Sequence, residues 1–272
     1  MAAPSRAEQP LLRFAGEVGR SVVRVVEFFG FGASIAFQAL SWLVLGRRRH
    51  QPVRSASVVA QMMEIGVEAL PIVSMLSLTI GVMLAIQGID ALASFGAQHQ
   101  VAVGVSLSVT REFSPLITGI LVAGRSGSAL AARLGTMMIS NEIDALRVMG
   151  INPIRFLVAP HLVAMVVMLP ALVVWADFLS LLGAGLYITT DQGISVGAYF
   201  DQTVRYLDVG DVMHGLGKSV IFGVLITIVG VINGASVRGG AEGVGRATTS
   251  SVVQAITAIV VTDMLFVFVA TR

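Results

Sequence analysis

The sequence predicts an all-α integral membrane protein with five transmembrane helices, and three observations predict it. Of the 272 residues, 55% are hydrophobic and only 12% are charged, about half the roughly 25% charged content of a soluble domain. Mean hydropathy is +0.85. The apolar residues fall into five continuous runs, each near the roughly twenty residues a helix needs to cross the hydrocarbon core. The runs do not alternate with period two, which argues against a transmembrane barrel. The net charge of +2 gives little electrostatic ground for nucleic acid as a partner. The absence of cysteine excludes disulfides, thiolate catalysis and cysteine-ligated metals. The polar residues 1–10, with Arg47, Arg48 and Arg49 behind the first apolar stretch, are in the wrong order for a cleaved secretory signal.

The first element spans about residues 11–45. Arg13, Glu17, Arg20, Arg24 and Glu27 recur every three or four residues, and Ser34, Gln38 and Ser41 continue the stripe. A helix that is polar along one narrow face and apolar elsewhere lies in the membrane interface; the competing reading is a true span from about residue 25 to 45. An amphipathic helix over 55–70 follows, with Glu64 and Glu68 one turn apart. The five spans then cover about 69–88, 101–123, 156–187, 218–237 and 251–270, with Pro160 and Pro170 placed to bend the long third one. A single domain over 1–272 accommodates all of this.

Loop charges orient the spans. Arg47, Arg48, Arg49 and Arg54 precede span one, Arg125, Arg133, Arg147 and Arg155 lie between spans two and three, and Arg238 and Arg246 lie between spans four and five. The other loops carry Asp90, Asp191, Asp201, Asp208 and Asp211, with Arg205 the only arginine. The excess of arginine on cytoplasmic loops predicts a cytoplasmic N-terminus and an external C-terminus. No internal repeat is evident, which weakens an inverted-repeat transporter.

Two features carry chemistry. Arg111 and Glu112 fall inside span two, where a central arginine costs roughly 2.5–3.5 kcal/mol on insertion scales. Adjacent helical residues point about 100° apart, so Arg111 and Glu112 are not expected to pair with each other, and Asp263 in span five and Lys218 at the outer end of span four are their candidate partners. Facing a cavity, a partner or a substrate and forming a structural ion pair are equal readings of Arg111. Asp177 in span three is read as reaching the interface. The second feature is the segment 124–153, with Leu130, Leu134, Met137 and Met138 on one helical face and polar groups opposite. Its glycines lack the Gly-Lys-Ser/Thr ending of a phosphate loop, so ATP is not expected to bind this chain. A helix between two spans, polar at its cytoplasmic end, can dock a partner or simply form an interfacial loop. Gly230 and Gly234 make a small-xxx-small contact in span four, and Gly239, Gly240, Gly243 and Gly245 a turn before span five. His50, His99, His161 and His214 are scattered without metal-ligand spacing, no Gly-x-Ser-x-Gly elbow occurs, and no catalytic residue, metal or cofactor is predicted.

The stretches Arg111-Glu-Phe-Ser-Pro-Leu, Ala123-Gly-Arg-Ser-Gly-Ser-Ala, Asn141-Glu-Ile-Asp-Ala-Leu-Arg-Val-Met-Gly-Ile-Asn-Pro and Gly245-Arg-Ala-Thr-Thr together resemble the MlaE/YrbE permeases, the membrane subunits of Mce-type ABC transporters of phospholipids and related lipids in bacteria. The resemblance runs from about residue 10 to the C-terminus. It implies a homodimer in the bacterial inner membrane and a lipid cavity between the subunits. It also implies cytoplasmic ABC ATPase subunits, a periplasmic MCE-domain protein and a STAS-domain protein. By motif, a coupling helix covers about 126–150, with Arg133, Glu142, Asp144 and Arg147 as ATPase-coupling groups. Arg111, Glu112, Lys218 and Asp263 match charged positions of the family's spans, and Arg111 or Lys218 is expected to steer the lipid phosphate. Asp144-Ala-Leu-Arg-Val-Met-Gly150 also resembles the Glu-Ala-Ala…Gly loop of importer permeases, without its later Ile-x-Leu-Pro. The expected function is an ABC permease for phospholipids, with ATP hydrolysed by a partner; the alternatives are another hydrophobic substrate such as a sterol, a membrane-embedded lipid enzyme such as an acyltransferase, and a scaffold.

Overall fold

A computed structural model of the chain describes residues 30, 32–39, 41–42 and 54–270. These residues are helical almost throughout, with no strand among them. Five helical stretches are long and apolar enough to cross a membrane: Ser55–Ala93, Gln98–Ile139, Ile154–Gln192, Val209–Ala235 and Gly240–Val269. The helices are α1 (32–39), α2 (Ser55–Ile65), α3 (Leu70–Ala93), α4 (Val101–Ser108), α5 (Ser114–Val122), α6 (Ser128–Ile139), α7 (Glu142–Val148), α8 (Ala159–Gln192), α9 (Val196–Tyr206), α10 (Val209–Ala235) and α11 (Gly240–Ala270).

Span two is one column of α4, α5 and α6 joined by two π-helical turns, Val109–Phe113 and Ala123–Gly127. The first turn has a local cause. Pro115 has no N–H, so it cannot donate to the carbonyl of Arg111 four residues back, and Ser114 N–H reaches Val109 O instead. A third π-turn, Ile154–Val158, opens span three. All three turns contain an arginine, Arg111, Arg125 and Arg155 respectively, in keeping with the use of π-bulges to turn side chains out of a helix at functional positions.

Small residues set the helix packing, since lipid supplies no hydrophobic drive between helices and close van der Waals contact must replace it. A Cβ on Gly81 of α3 would strike Ser180 O of α8, and one on Gly183 of α8 would strike Leu78 O of α3. Gly230 and Gly234 of α10 lie against Gly127, Leu130, Ala131 and Leu134 on span two. Three buried apolar clusters result: a central one around Met165, Leu169, Phe222 and Ile259, one around Leu134, Leu162 and Ile232 at the basic end, and one around Val105, Ile188 and Tyr199 at the acidic end. α8 has 34 residues, about 50 Å at 1.5 Å per residue, longer than a hydrocarbon core of about 30 Å. It carries Pro160 in its first turn and Pro170 inside.

Two boundaries differ from those expected. Span four starts at Val209 rather than 218, because Asp208 and Asp211 form a capping box that begins α10 beneath a polar, glycine-rich stretch. Lys218 is therefore inside the helix and not at its outer end. Residues 126–150 do not form one separate helix: α6 continues span two, burying Leu130, Ala131, Leu134 and Gly135, and only α7 stands apart. Asp177 is half-buried on α8, with its Oδ1 enclosed. In the first element, the described residues Gly32, Ile35 and Ala39 turn inward while Ser34 and Gln38 are exposed, and Ile35 and Ala39 join the basic-end cluster. The remainder of 11–45, like Arg47–Arg49, lies outside the described residues.

Candidate functional site

The structure brings four of the expected residues together. Arg111 and Glu112 leave the first π-turn of span two, Lys218 comes from α10 and Asp263 from α11. Lys218 Nζ donates to Glu112 Oε2 at 2.5 Å and to the freed carbonyl of Arg111 at 3.2 Å. It pairs with Asp263 Oδ1 at 2.9 Å, in a geometry too bent for a hydrogen bond. The Lys218 side chain is 0% exposed. An ammonium has three donors, and three oxygens surround this one.

Glu112 thus has Lys218, one of the two candidate partners, whereas the Arg111 side chain pairs with neither Lys218 nor Asp263. Its guanidinium pairs with Asp211, and its Nε donates to Asp211 Oδ1 at 2.6 Å. The second carboxylate oxygen of Asp211 accepts the Asp208 N–H at 3.0 Å, so the same side chain starts α10 and holds Arg111. Asp211 is the partner of Arg111 that the sequence reading left in a loop, and the Asp-x-x-Asp spacing at 208–211 was the available signal. The arrangement has a direction. The Arg111 side chain is 53% exposed, and its partner only 6%. Arg111 thus lies on the rim with donors to spare, whereas Lys218 is fully buried among Glu112, Asp263 and the Arg111 carbonyl.

The other expected residues fall at the basic end. Glu142, Asp144 and Arg147 are exposed on α7. Asp144 and Arg147 pair at 2.9 Å, and Glu142 accepts from Ser140 Oγ at 2.8 Å. Local rules fix this helix. Asn141 has φ 57°, a left-handed conformation that asparagine tolerates. Glu142 and Asp144 occupy the first turn and Arg147 the last, each on its favourable side of the helix dipole. Gly150 N–H bonds to Arg147 O and Ile151 N–H to Leu146 O, a Schellman ending in which Gly150 takes φ 74°. Asn152 Oδ1 then caps the next helix through Ile154 N–H at 2.9 Å. Buried Ile143 and Leu146 anchor α7, while Val148 and Met149 are 89% and 64% exposed. Arg133 is not with them. It points from α6 toward α2, where Glu64 lies 4.0 Å away. Nearby, Arg125 donates to Glu68 Oε2 at 2.6 Å and to Glu64 O at 3.1 Å.

A five-span helical bundle with a buried charge cluster at one end and a tightly capped, exposed helix at the other defines a multi-pass membrane protein. Residues 58–269 match the family model described as Permease MlaE, and the chain belongs to that family. It is 34% identical over 255 residues to a probable ABC transporter permease protein of Rickettsia typhi, covering 94% of this chain and 96% of that one. It is 30% identical over 264 residues to the intermembrane phospholipid transport system permease protein MlaE of Haemophilus influenzae, covering 96% and 97%. Over 209 residues it is 34% identical to the chloroplastic protein trigalactosyldiacylglycerol 1 of Arabidopsis thaliana, covering 77% and 60%.

Proposed function

We propose that this chain is the permease subunit of an ABC transporter that moves phospholipid between the inner and outer membranes of a bacterium. The observation that carries the reading is the linkage of two sites through span two, with Arg111 in its first π-turn and α7 joined to its far end by the turn at Ser140 and Asn141. Span two holds the half-exposed Arg111 in its upper π-turn and leads through α6 to α7 below. A partner that pushes on α7 acts on a rod whose other end carries a headgroup-binding cation. The basic end faces the cytoplasm under the positive-inside rule. α7 there offers Val148 and Met149 beside Glu142, Asp144 and Arg147, a small apolar tip with a polar rim, as a docking knob for a cytoplasmic ABC ATPase subunit.

Spans one and five bury the smallest share of their membrane-crossing stretches. Met75, Met83, Val261, Met264 and Phe268 are among the exposed side chains. In our reading these faces meet a second copy of the chain and enclose lipid tails between the two, with Arg111 at the rim of that space. An MCE-domain protein on the acidic, periplasmic side and a STAS-domain protein on the ATPase complete the assembly that the family membership suggests. A bidentate guanidinium suits a phosphate; Lys218 is assigned to holding the site, not to contacting lipid.

The test is reconstitution with the neighbouring ATPase in vesicles of phosphatidylethanolamine and phosphatidylglycerol. Arg111→Ala is expected to lower ATP-dependent lipid transfer at least tenfold, the loss of one charge-assisted contact, at unchanged protein yield. Full transfer by that variant refutes the headgroup role. Asp144→Lys, which creates a like-charge contact with Arg147, is expected to uncouple ATPase binding while leaving the fold intact. Co-purification of the ATPase at the native ratio would refute the docking role.

A further inference from the structure

A crevice at the basic end belongs to neither of these sites. It lies between α2, α6 and the start of α8, encloses about 170 Å³, and is lined by Ser57, Gln61, Arg133, Leu134, Phe156 and Pro160 among others. α2 packs along α8, whereas α6 packs against α10 and α11, so the two helices leave a gap over the floor formed by α8. What spans the gap is Arg133 and Glu64 at 4.0 Å, with side chains 59% and 48% exposed. That separation exceeds hydrogen-bond distance, so the contact fills none of the five guanidinium donors. Glu64 is held in place by a relay. His161 Nδ1 lies 2.7 Å from Gln61 Oε1; a carboxamide oxygen only accepts, so Nδ1 carries the proton. The Gln61 amide is thereby oriented with its Nε2 toward Glu64 Oε2, at 3.3 Å.

We propose that this crevice is a second lipid site, which takes the headgroup of a zwitterionic aminophospholipid with its phosphate on Arg133 and its ammonium on Glu64. A cation and a carboxylate held just too far apart to bond each other are complementary to a phosphate and an ammonium two carbons apart. Seating the zwitterion replaces one long ion pair by two charge-assisted hydrogen bonds. The apolar floor of Leu134, Phe156 and Pro160 suits the glycerol and the first methylenes of the chains, at the depth where polar pockets between spans recognise headgroups. An anionic headgroup has no partner for Glu64 and meets repulsion there. A choline headgroup has no N–H to give it. The site is on the opposite side of the bilayer from Arg111, and it requires only that the chain spans a membrane, not that it transports.

Native mass spectrometry of the full-length protein in neutral detergent tests this without ATP or partners. Phosphatidylethanolamine, phosphatidylcholine and phosphatidylglycerol of identical chains are titrated into the wild type and into an Arg111→Ala background that silences the other site. Phosphatidylethanolamine is expected to bind best in both, and Arg133→Gln and Glu64→Gln each to weaken it roughly tenfold. Arg133→Lys, which keeps the charge, is expected to retain most of the binding, which separates headgroup recognition from a folding defect. Phosphatidylglycerol binding is expected to be weaker and not reduced by Glu64→Gln. Phosphatidylethanolamine binding unchanged in both neutral variants would overturn the site. Phosphatidylglycerol binding as tight as phosphatidylethanolamine would overturn the role of Glu64. Competition by free O-phosphoethanolamine as effective as the lipid itself would overturn the apolar half of the site.

Discussion

Lys218→Met is expected to be among the most damaging single changes in this protein. The substitution keeps the length of the side chain and removes the one cation that faces both Glu112 and Asp263. Two carboxylates then remain inside the bundle without a partner, and the Arg111 carbonyl, already without an amide donor because of Pro115, loses the Nζ that satisfies it. Removing one member of a buried ion pair costs about 3–5 kcal/mol, because the partner is left as an uncompensated charge. Fluorescence-detected size exclusion after a temperature ramp should show a lowered midpoint and little monodisperse protein. The triple variant Lys218→Met/Glu112→Gln/Asp263→Asn should recover most of that loss, since the penalty arises from the stranded charges and not from the missing bridge. A single variant with the wild-type midpoint would show that Lys218 does not neutralise the cluster. A triple variant no better than the single would place the cost in packing.

The same cluster shows where reading the sequence stops. The short helix at 142–148 obeys local rules, with Asn141 at a left-handed position, acids before base, and Gly then Asn-Pro at the end, yet the motif alone placed it inside one coupling helix over 126–150. The charged residues inside the spans were visible because intramembrane charge is costly and therefore rare. Their pairing was not. Arg111 finds Asp211 only because α10 starts at Val209, and the stretch Gly210-Asp-Val-Met-His-Gly-Leu-Gly217 hides that start behind polar and small residues. One of those glycines has a specific reason to be there: a Cβ on Gly215 would collide with Thr110 O, just before Arg111. Close approach of α10 to the π-turn is what brings Lys218 to Arg111 O. A helix contact between residues a hundred positions apart leaves no periodic trace in either segment. Likewise, the charges Arg125 and Arg133 made span two read as ending near 123 and 126–150 as a separate coupling helix, although Leu130, Ala131, Leu134 and Gly135 are buried and the arginines emerge sideways to α2.

The crossing of α3 and α8 should be as intolerant as the charge cluster, for a steric reason. Gly81→Ala and Gly183→Ala each place a methyl group into a backbone carbonyl of the facing helix, Ser180 O and Leu78 O respectively. Backbone cannot swing aside as a side chain tip does. The helices are also tied at this level by Ser180 Oγ donating to Ser77 O at 2.9 Å and Trp175 Nε1 donating to Ser74 Oγ at 2.9 Å. Relief of the clash requires α3 to move off α8, which breaks both bonds and opens the packed seam. Overpacking of a tight core costs about 1–3 kcal/mol, and a rigid obstacle puts these two at the upper end of that range. Thermal midpoints in detergent should fall for both. The double variant should lose less than the sum, because the first methyl already separates the surfaces that the second would strike. Gly104→Ala in α4 is the control, since nothing lies within 4 Å of its would-be Cβ and alanine favours a helix over glycine by roughly 1 kcal/mol. It should match or exceed the wild type. If Gly81→Ala did so as well, α3 would have to sit farther from α8 than the geometry places it, and the Ser180–Ser77 and Trp175–Ser74 bonds would fall with it.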